Sequence, residues 1–116
     1  MSAQDLTKVT VSGVIDNISA AGQIYLPVPL MFDGTILQVL ATLDAAISVA
    51  NATLTVKNSD GTTIGTLVVP FSGSAAGKTS TINLSGLCRP NEAIEIETNG
   101  GSTTVVKCYV TVVIKR

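Results

Sequence analysis

Apolar and polar residues alternate with a period of two along most of this chain, which is the pattern of half-buried β-strands. In the segment Ala52–Lys57, for example, Ala52, Leu54 and Val56 are predicted to face inward and the residues between them outward. About eight strands are predicted in this way. They cover Lys8–Ile15, Gln23–Pro29, Thr35–Leu43, Ala52–Lys57, Thr62–Pro70, Thr81–Leu84, Ala93–Thr98 and Thr103–Lys115.

Two of these segments carry more specific information. The last strand is the longest, and its inward positions are predicted to be Val106, Cys108, Val110, Val112 and Ile114. The second strand contains Pro27 and Pro29, which cannot donate to a hydrogen-bond ladder, so it is predicted at a sheet edge. A helix is an alternative for residues 38–50, which are rich in Ala and Leu, but the β-branched residues there favour a strand.

The turns between strands are marked by glycine and asparagine. The sequence "NSDG" (Asn58–Gly61) predicts a tight turn between two strands, and Gly65 predicts a bulge soon after it. The sequence "NGG" (Asn99–Gly101) predicts a second hairpin, because asparagine and glycine adopt positive φ at little cost.

Regularly spaced strands without a clear helix predict an all-β protein, and eight strands favour a single-domain, jelly-roll-like antiparallel β-sandwich. An immunoglobulin-like sandwich is the alternative, but the chain has no Trp to pack between paired cysteines. The domain is predicted to span residues 8–116, preceded by a flexible N-terminal arm at residues 1–7.

Composition narrows the functional classes. The chain has 116 residues, of which 46% are hydrophobic and only 13% charged, and its mean hydropathy is +0.49. Such a chain must present Thr, Ser and Asn to solvent, have partners that cover its apolar surface, or both, and we expect both. Its net charge of -1 offers no basic patch for nucleic acid.

The sequence shows no targeting or membrane signal. The N-terminus "MSAQDLTKVT" lacks the basic and apolar regions of a signal peptide, and no apolar run approaches the ~20 residues that span a bilayer. We therefore expect synthesis in a cytosol and no association with a membrane. In that compartment Cys88 and Cys108 are expected to be free thiols, with Cys108 in the core and Cys88 in a loop.

Candidate metal sites fail on spacing and ligand type. If Gly61 takes the glycine position of an EF-hand loop, Val56 and Leu67 fall at the first and last ligand positions, and neither side chain can bind calcium. The chain has no His, and two cysteines alone do not complete a zinc site. No metal or other cofactor is expected.

Candidate catalytic groups are equally incomplete. Glu95 and Glu97 share the outer face of one predicted strand, where a solvated surface or an ion pair is expected, not a glycosidase cleft. No His is present to activate a nucleophile. The sequence "GKTS" resembles the end of a phosphate-binding loop, whose pattern has four residues between its two glycines. Only three residues separate Gly73 from Gly77. No enzyme activity is expected.

An apolar segment near the second strand is the candidate interface. A lone chain that exposed "PVPLMF" would risk aggregation, so we expect a partner to cover it. With Leu6 from the arm, the candidate interface residues are Leu6, Pro27, Val28, Pro29, Leu30, Met31 and Phe32. The few aromatic residues are scattered, which disfavours a carbohydrate-stacking surface.

Residues 9–114 also resemble a known class of protein. The "ANATLTV" strand, the "SAAG" loop, "AIEIETNGG" and the closing Val-rich strand resemble the small β-sandwich decoration, or cement, proteins of tailed-bacteriophage capsids. The resemblance implies a homotrimer on the outside of the capsid that clamps neighbouring subunits of the major capsid protein. It implies no catalytic residues and no cofactor.

A receptor- or glycan-binding module of a phage fibre or surface appendage is the alternative. Such a module would use the loops Asp44–Asn51 and Phe71–Thr79.

Overall fold

Eight antiparallel strands form two four-stranded sheets in the computed structural model, which describes residues 8–29 and 33–115. The strands are β1 (Lys8–Ile15), β2 (Ala21–Pro27), β3 (Gly34–Leu43), β4 (Ala52–Lys57), β5 (Thr63–Val69), β6 (Thr79–Cys88), β7 (Ala93–Asn99) and β8 (Cys108–Lys115). No helix occurs in these two ranges. The predicted all-β antiparallel sandwich of about eight strands is confirmed.

Each sheet contains strands from distant parts of the chain. Sheet I has the order β1-β8-β3-β6, and sheet II has the order β2-β7-β4-β5. Among the described strands, only β4 and β5 are joined as sequence neighbours within one sheet. The other successive strands lie in opposite sheets, so almost every pairing joins segments distant in sequence.

The core lies between the sheets and is built from the inward positions of each strand. All five inward residues predicted for the last strand are buried, from Val106 to Ile114. In sheet I, Val112 lies opposite Val11 of β1 and Val39 of β3, so aliphatic side chains form a continuous row. Burying each such side chain contributes about 1.5–3 kcal/mol to folding.

Local irregularities match two of the sequence expectations. Strand β2 is an edge strand of sheet II, as its prolines predicted. The register of β4 against β5 shifts between Val56, opposite Gly65, and Lys57, opposite Thr63, which confirms a bulge at Gly65.

The prediction of a hairpin at "NGG" is wrong. Strand β7 pairs with β2 and β4, whereas β8 pairs with β1 and β3 in the other sheet. Residues 100–107 therefore cross between the sheets, and the last strand begins at Cys108, not at Thr103. Their backbone bonds other loops: Val106 O accepts from Ile18 N at 2.9 Å, and Lys107 O accepts from Asp44 N at 3.0 Å.

Several other boundaries differ from expectation, and β6 differs most, since it covers Thr79–Cys88 where Thr81–Leu84 was predicted. Strand β6 extends to Cys88, so this cysteine is a buried strand residue and not a loop residue. A glycine such as Gly86 often marks a turn, but here it lies within β6. A side chain at this position would collide with Ile64 of the facing sheet, which accounts for the glycine. The helix considered for residues 38–50 is absent, since β3 runs to Leu43 and a non-helical loop follows.

The predicted arm at residues 1–7 lies outside the described residues. The described strands begin at Lys8 and end at Lys115, within the predicted sandwich domain of residues 8–116.

Candidate functional site

The calcium-like sequence at Asn58–Gly61 is the turn that joins β4 to β5. Asn58 Oδ1 accepts hydrogen bonds from the backbone N–H groups of Asp60 (3.0 Å) and Thr62 (3.2 Å), so this oxygen points into its own turn. Gly61 adopts φ +83° and donates its N–H to Asn58 O at 3.0 Å. The predicted tight turn is confirmed.

The tip of this turn is held by the connection between β6 and β7. Asp60 Oδ1 lies 2.6 Å from an Arg89 guanidinium nitrogen, and Ser59 donates to Glu92 Oε2 at 2.5 Å. The bond to Asp60 raises the pKa of Arg89 above its ordinary value. The oxygens that could have attracted a cation are thus engaged by groups of the same chain. Across residues 8–29 and 33–115, no cluster of three metal-ligating side chains occurs.

The carboxylates of β7 lie on the outer face of sheet II. Glu97 accepts a hydrogen bond from Lys57 Nζ at 2.9 Å, and Glu95 lies opposite both Tyr25 and Lys57 in the sheet register. The contact raises the pKa of Lys57 and lowers the pKa of Glu97. A lowered pKa keeps Glu97 ionised, which is the opposite of what a general acid requires.

Both cysteines are free and buried. Burial raises the pKa of the Cys88 thiol to about 11, with the nearby charges of Glu92 and Asp33 adding to the effect. Burial also raises the pKa of Cys108 to about 11. At neutral pH both side chains are therefore protonated thiols, which are poor nucleophiles and poor metal ligands.

The segment that resembled a phosphate-binding loop is a turn before a strand. Gly77 donates its N–H to Leu43 O at 2.8 Å, and Lys78 donates its N–H to Ala75 O at 3.1 Å. These amides are therefore not directed at an anion, and β6 follows them where a phosphate loop would start a helix. A concavity of about 260 Å³ lies beside this loop, between Leu43, Val69 and Lys78. Ligand pockets are usually larger than this.

The candidate interface segment is only partly described. Pro27 and Pro29 are exposed at the edge of sheet II, but Val28 is 2% exposed and packs into the core. The backbone of Val28 exchanges hydrogen bonds with the β6–β7 turn, donating to Glu92 O (3.0 Å) and accepting from Asn91 N (3.1 Å). Leu6, Leu30, Met31 and Phe32 lie outside the described residues.

The loops assigned to the alternative function lie side by side at one end of the sandwich. Ile47 N–H donates to Ser74 Oγ at 3.0 Å, and Phe71 N–H donates to Asn51 Oδ1 at 3.1 Å. This end exposes the apolar side chains of Val49 and Phe71. Val49 also has φ +79°, which is an unusual conformation for a β-branched residue.

The outer face of sheet I is a surface that the sequence analysis did not single out. Cross-strand register places its side chains in four rows, each running β1, β8, β3, β6. The rows are Lys8-Lys115-Thr35-Leu87, Thr10-Val113-Gln38-Asn83, Ser12-Thr111-Leu40-Thr81 and Val14-Tyr109-Thr42-Thr79. None of these residues is acidic, and both lysines lie in the first row.

Two hydroxyl pairs link neighbouring strands on this face. Ser12 and Thr111 hydroxyls lie 3.0 Å apart, and Thr42 and Thr79 hydroxyls lie 2.8 Å apart. The signal in the sequence was the outward positions of the last strand, where Tyr109 and Val113 interrupt a polar pattern. The partner strands could not be identified from sequence, so the surface could not be assembled.

The fold was compared with solved structures. A chain in the acidic stable capsid structure of Helicobacter pylori bacteriophage KHP30 aligns over 95% of this chain and 88% of its own length, with a TM-score of 0.66 and 15% identity. The two chains share one fold. A chain in the capsid asymmetric unit of cyanophage Pam1 aligns over 99% of this chain and 90% of its own length, with a TM-score of 0.58 and 15% identity.

The same fold also occurs outside capsid structures. The structure of Eiger TNF from S. frugiperda aligns over 95% of this chain and 93% of its own length, with a TM-score of 0.50 and 9% identity. No protein-family model and no curated protein sequence matches the chain. At these identities the comparisons establish the fold, and function requires further argument.

Within residues 8–29 and 33–115, no helix is long and apolar enough to cross a membrane.

Proposed function

We propose that this chain is a structural protein of a bacteriophage virion, which binds the outside of the capsid as an oligomer and stabilises contacts between major capsid protein subunits. The observation that carries the proposal is its similarity to chains in two phage capsid structures, which spans nearly the full length of each chain.

The chemistry of the surface supports a structural role without catalysis. Glu97 is ionised by its contact with Lys57, and the tip of the β4–β5 turn is engaged by Arg89 and Glu92. Burial keeps both thiols protonated. Glu97 and Asp60 are thus engaged in ion pairs, and the two thiols are buried and protonated, which disfavours acid–base or nucleophilic chemistry at these groups.

Three finer features of the proposal come from the resemblance seen in the sequence. They are a homotrimeric state, a position on the outer surface of the virion and the major capsid protein as partner. A jelly-roll topology, which the number of predicted strands favours, is also part of the proposal, and the strand order β1-β8-β3-β6 facing β2-β7-β4-β5 supports it.

The stabilising effect would arise from buried area. A standard protein interface buries about 800 Å² on each partner. Repeated around a closed shell, such contacts raise the energy needed to separate neighbouring capsid subunits. No nucleic acid, membrane or cofactor has a part in this mechanism.

Co-sedimentation tests the proposal directly. Purified protein is mixed with empty shells of the major capsid protein from its own phage and centrifuged. We expect saturable binding and a higher temperature of shell disruption. Shells that leave the protein in the supernatant, or that bind it without gaining stability, would contradict the proposal.

The N-terminal arm and the apolar segment are the proposed capsid contacts. Residues 1–7 would reach across neighbouring capsid subunits, and Pro27 to Phe32 would be covered by the shell. A variant that lacks residues 1–7 should bind shells more weakly than the full chain while it keeps the same thermal stability in solution. Equal binding by the two forms would remove the arm from the interface.

The second candidate is a receptor- or glycan-binding module. The observation that favours it is the shared end of the sandwich, where the loops Asp44–Asn51 and Phe71–Thr79 are hydrogen-bonded together and expose Val49 and Phe71. A glycan array with the purified protein tests this candidate. Binding that is lost in a Phe71→Ser variant would support it.

A further inference from the structure

The outer face of sheet I is exposed in the single chain and carries large apolar side chains among its polar residues. Val14, Leu87 and Tyr109 are among the exposed large apolar side chains of the protein. Leu40 and Val113 lie between them in the central rows of the same face. Five apolar side chains thus share one side of one sheet.

Charge distinguishes this face from the opposite side of the sandwich. The outer face of sheet II carries Lys57, Glu95 and Glu97 near its centre. The four rows of sheet I contain no carboxylate, and Lys8 and Lys115 stand together in the first row. At the opposite end of the face, the strands are followed or preceded by loops that contain charged residues. These residues lie beyond the fourth row and are Asp16, Asp44, Lys78 and Lys107.

The polar groups of this face are adapted to being covered. Covering a hydroxyl group costs free energy unless it keeps a hydrogen bond. The Ser12–Thr111 and Thr42–Thr79 pairs provide such bonds within the chain. Each bond uses one of the two hydroxyl donors of its pair, so a partner has to accept a hydrogen bond from only one hydroxyl in each pair.

We propose that the outer face of sheet I is the surface through which copies of this chain associate. A second copy is the fitting occupant because self-association places identical surfaces in the same assembly, where like charges repel. The sheet II face has Glu95 and the Lys57–Glu97 ion pair near its centre, and these charges would lose water in such a contact. The centre of the sheet I face is uncharged, and its two lysines lie in the first row. This inference rests on the oligomeric state in the proposed function.

The available area is of the right order. Strands β1 and β8 each have 8 residues, which at ~3.3 Å per residue gives a face ~26 Å long. Four strands ~4.8 Å apart give a width of ~19 Å, hence a flat projection of ~500 Å². Side-chain relief adds to this value, and a standard interface buries about 800 Å² per partner.

The two tyrosines of the chain provide an internal comparison. Tyr109 lies on the outer face of sheet I with 46% exposure, and Tyr25 lies on the outer face of sheet II with 57% exposure. In one chain, both rings are thus similarly accessible. Hydroxyl-radical footprinting with mass spectrometry reports the modification of each ring separately.

In the wild-type protein we expect light scattering to give a multiple of the 11.9 kDa chain mass, with Tyr109 modified at least fivefold more slowly than Tyr25. A Thr111→Arg variant places a long cation at the centre of the face. It should reduce the mass to that of one chain and bring the two modification rates within twofold. Thr66→Arg, on the outer face of sheet II, is the matched control and should retain the oligomer.

Several outcomes would overturn the proposal. A monomeric wild-type protein would do so, as would an oligomer in which Tyr109 is modified as fast as Tyr25. If Thr111→Arg fails to fold by circular dichroism, the wild-type footprint alone decides. Protection of Tyr109 that appears only when capsid shells are added would assign the face to the capsid.

The proposed function is tested separately by binding to shells. An oligomer with a protected Tyr109 that does not bind shells would contradict the capsid role and leave the self-association face standing. A monomer that binds and stabilises shells would contradict the self-association face and leave the capsid role standing.

Discussion

At the scale of single residues, Gly61 shows how a sequence that suggests a metal site serves a turn instead. Its φ of +83° lies in the left-handed region, and no atom lies within 4 Å of the position a Cβ would take. The cost of a side chain there is therefore conformational and not steric. Asn58 complements this geometry by accepting two backbone hydrogen bonds within the turn.

Gly61→Ala should lower the free energy of unfolding by about 1–2 kcal/mol, because a side chain in the left-handed region is strained. Gly22→Ala is the matched control, since Gly22 also has open space around it but no positive φ. The control should leave stability unchanged or raise it slightly. Urea denaturation measures both, and equal stabilities for the two variants would contradict the role assigned to Gly61.

The buried thiols predict a dependence of stability on alkaline pH. In the unfolded chain a cysteine ionises near pH 8.5, whereas folding raises the pKa of Cys88 and Cys108 to about 11. Their contribution to stability is therefore complete below about pH 8.5 and is lost as the pH rises towards about 11, because the unfolded state releases its protons first.

The measurement is the free energy of unfolding by urea at several pH values between 8 and 11. We expect it to fall more steeply in the wild type than in a Cys88→Ala, Cys108→Ala double variant. The difference between the two slopes isolates the thiols from other groups that titrate in this range. Parallel slopes would contradict the assignment of both thiols to the core.

At the scale of elements, strands β5 and β6 show how the two sheets approach each other at one edge. A Cβ on Gly86 would lie 2.3 Å from Ile64 Cγ2, and a Cβ on Gly65 would lie 2.4 Å from Leu84 Cδ2. Each strand thus offers a glycine to receive an aliphatic side chain from the other. This reciprocal contact explains why Gly86 belongs to a strand although its sequence context suggests a turn.

Gly86→Ala should therefore destabilise the protein by about 1–3 kcal/mol through overpacking against Ile64. Ile64→Ala removes the atoms that clash, at a cost of about 2 kcal/mol for the lost aliphatic contacts. The double variant should be more stable than the sum of the single effects by at least about 0.5 kcal/mol. Strict additivity in a double-mutant cycle would show that the two residues do not meet.

The elements also show what sequence could and could not predict. Alternation placed the strands and their inward residues, and β1 and β4 have the predicted bounds, because burial of one sheet face imposes a period of two. The connection after β7 was wrong because "NGG" reports only on local backbone conformation. Whether the chain then folds back or crosses to the other sheet depends on contacts distant in sequence.

At the scale of the whole molecule, prediction of function is also limited by contacts between residues that are distant in sequence. The sequence argued against an EF-hand, a zinc site, a His-activated nucleophile and a phosphate-binding loop, since the residues that each requires are absent or wrongly spaced. It could not assemble the outer face of sheet I, whose four strands come from both ends and the middle of the chain. The candidate interface at Pro27 to Phe32 remains a prediction, with Val28 placed in the core.

Electron cryo-microscopy of capsid shells, with and without added protein, would show whether this chain binds the outside of the capsid. We expect additional density of β-sandwich size on the outer surface, repeated with the symmetry of the shell and in contact with neighbouring capsid subunits. Shells that look identical with and without the protein, or density confined to the interior or to a tail, would contradict it.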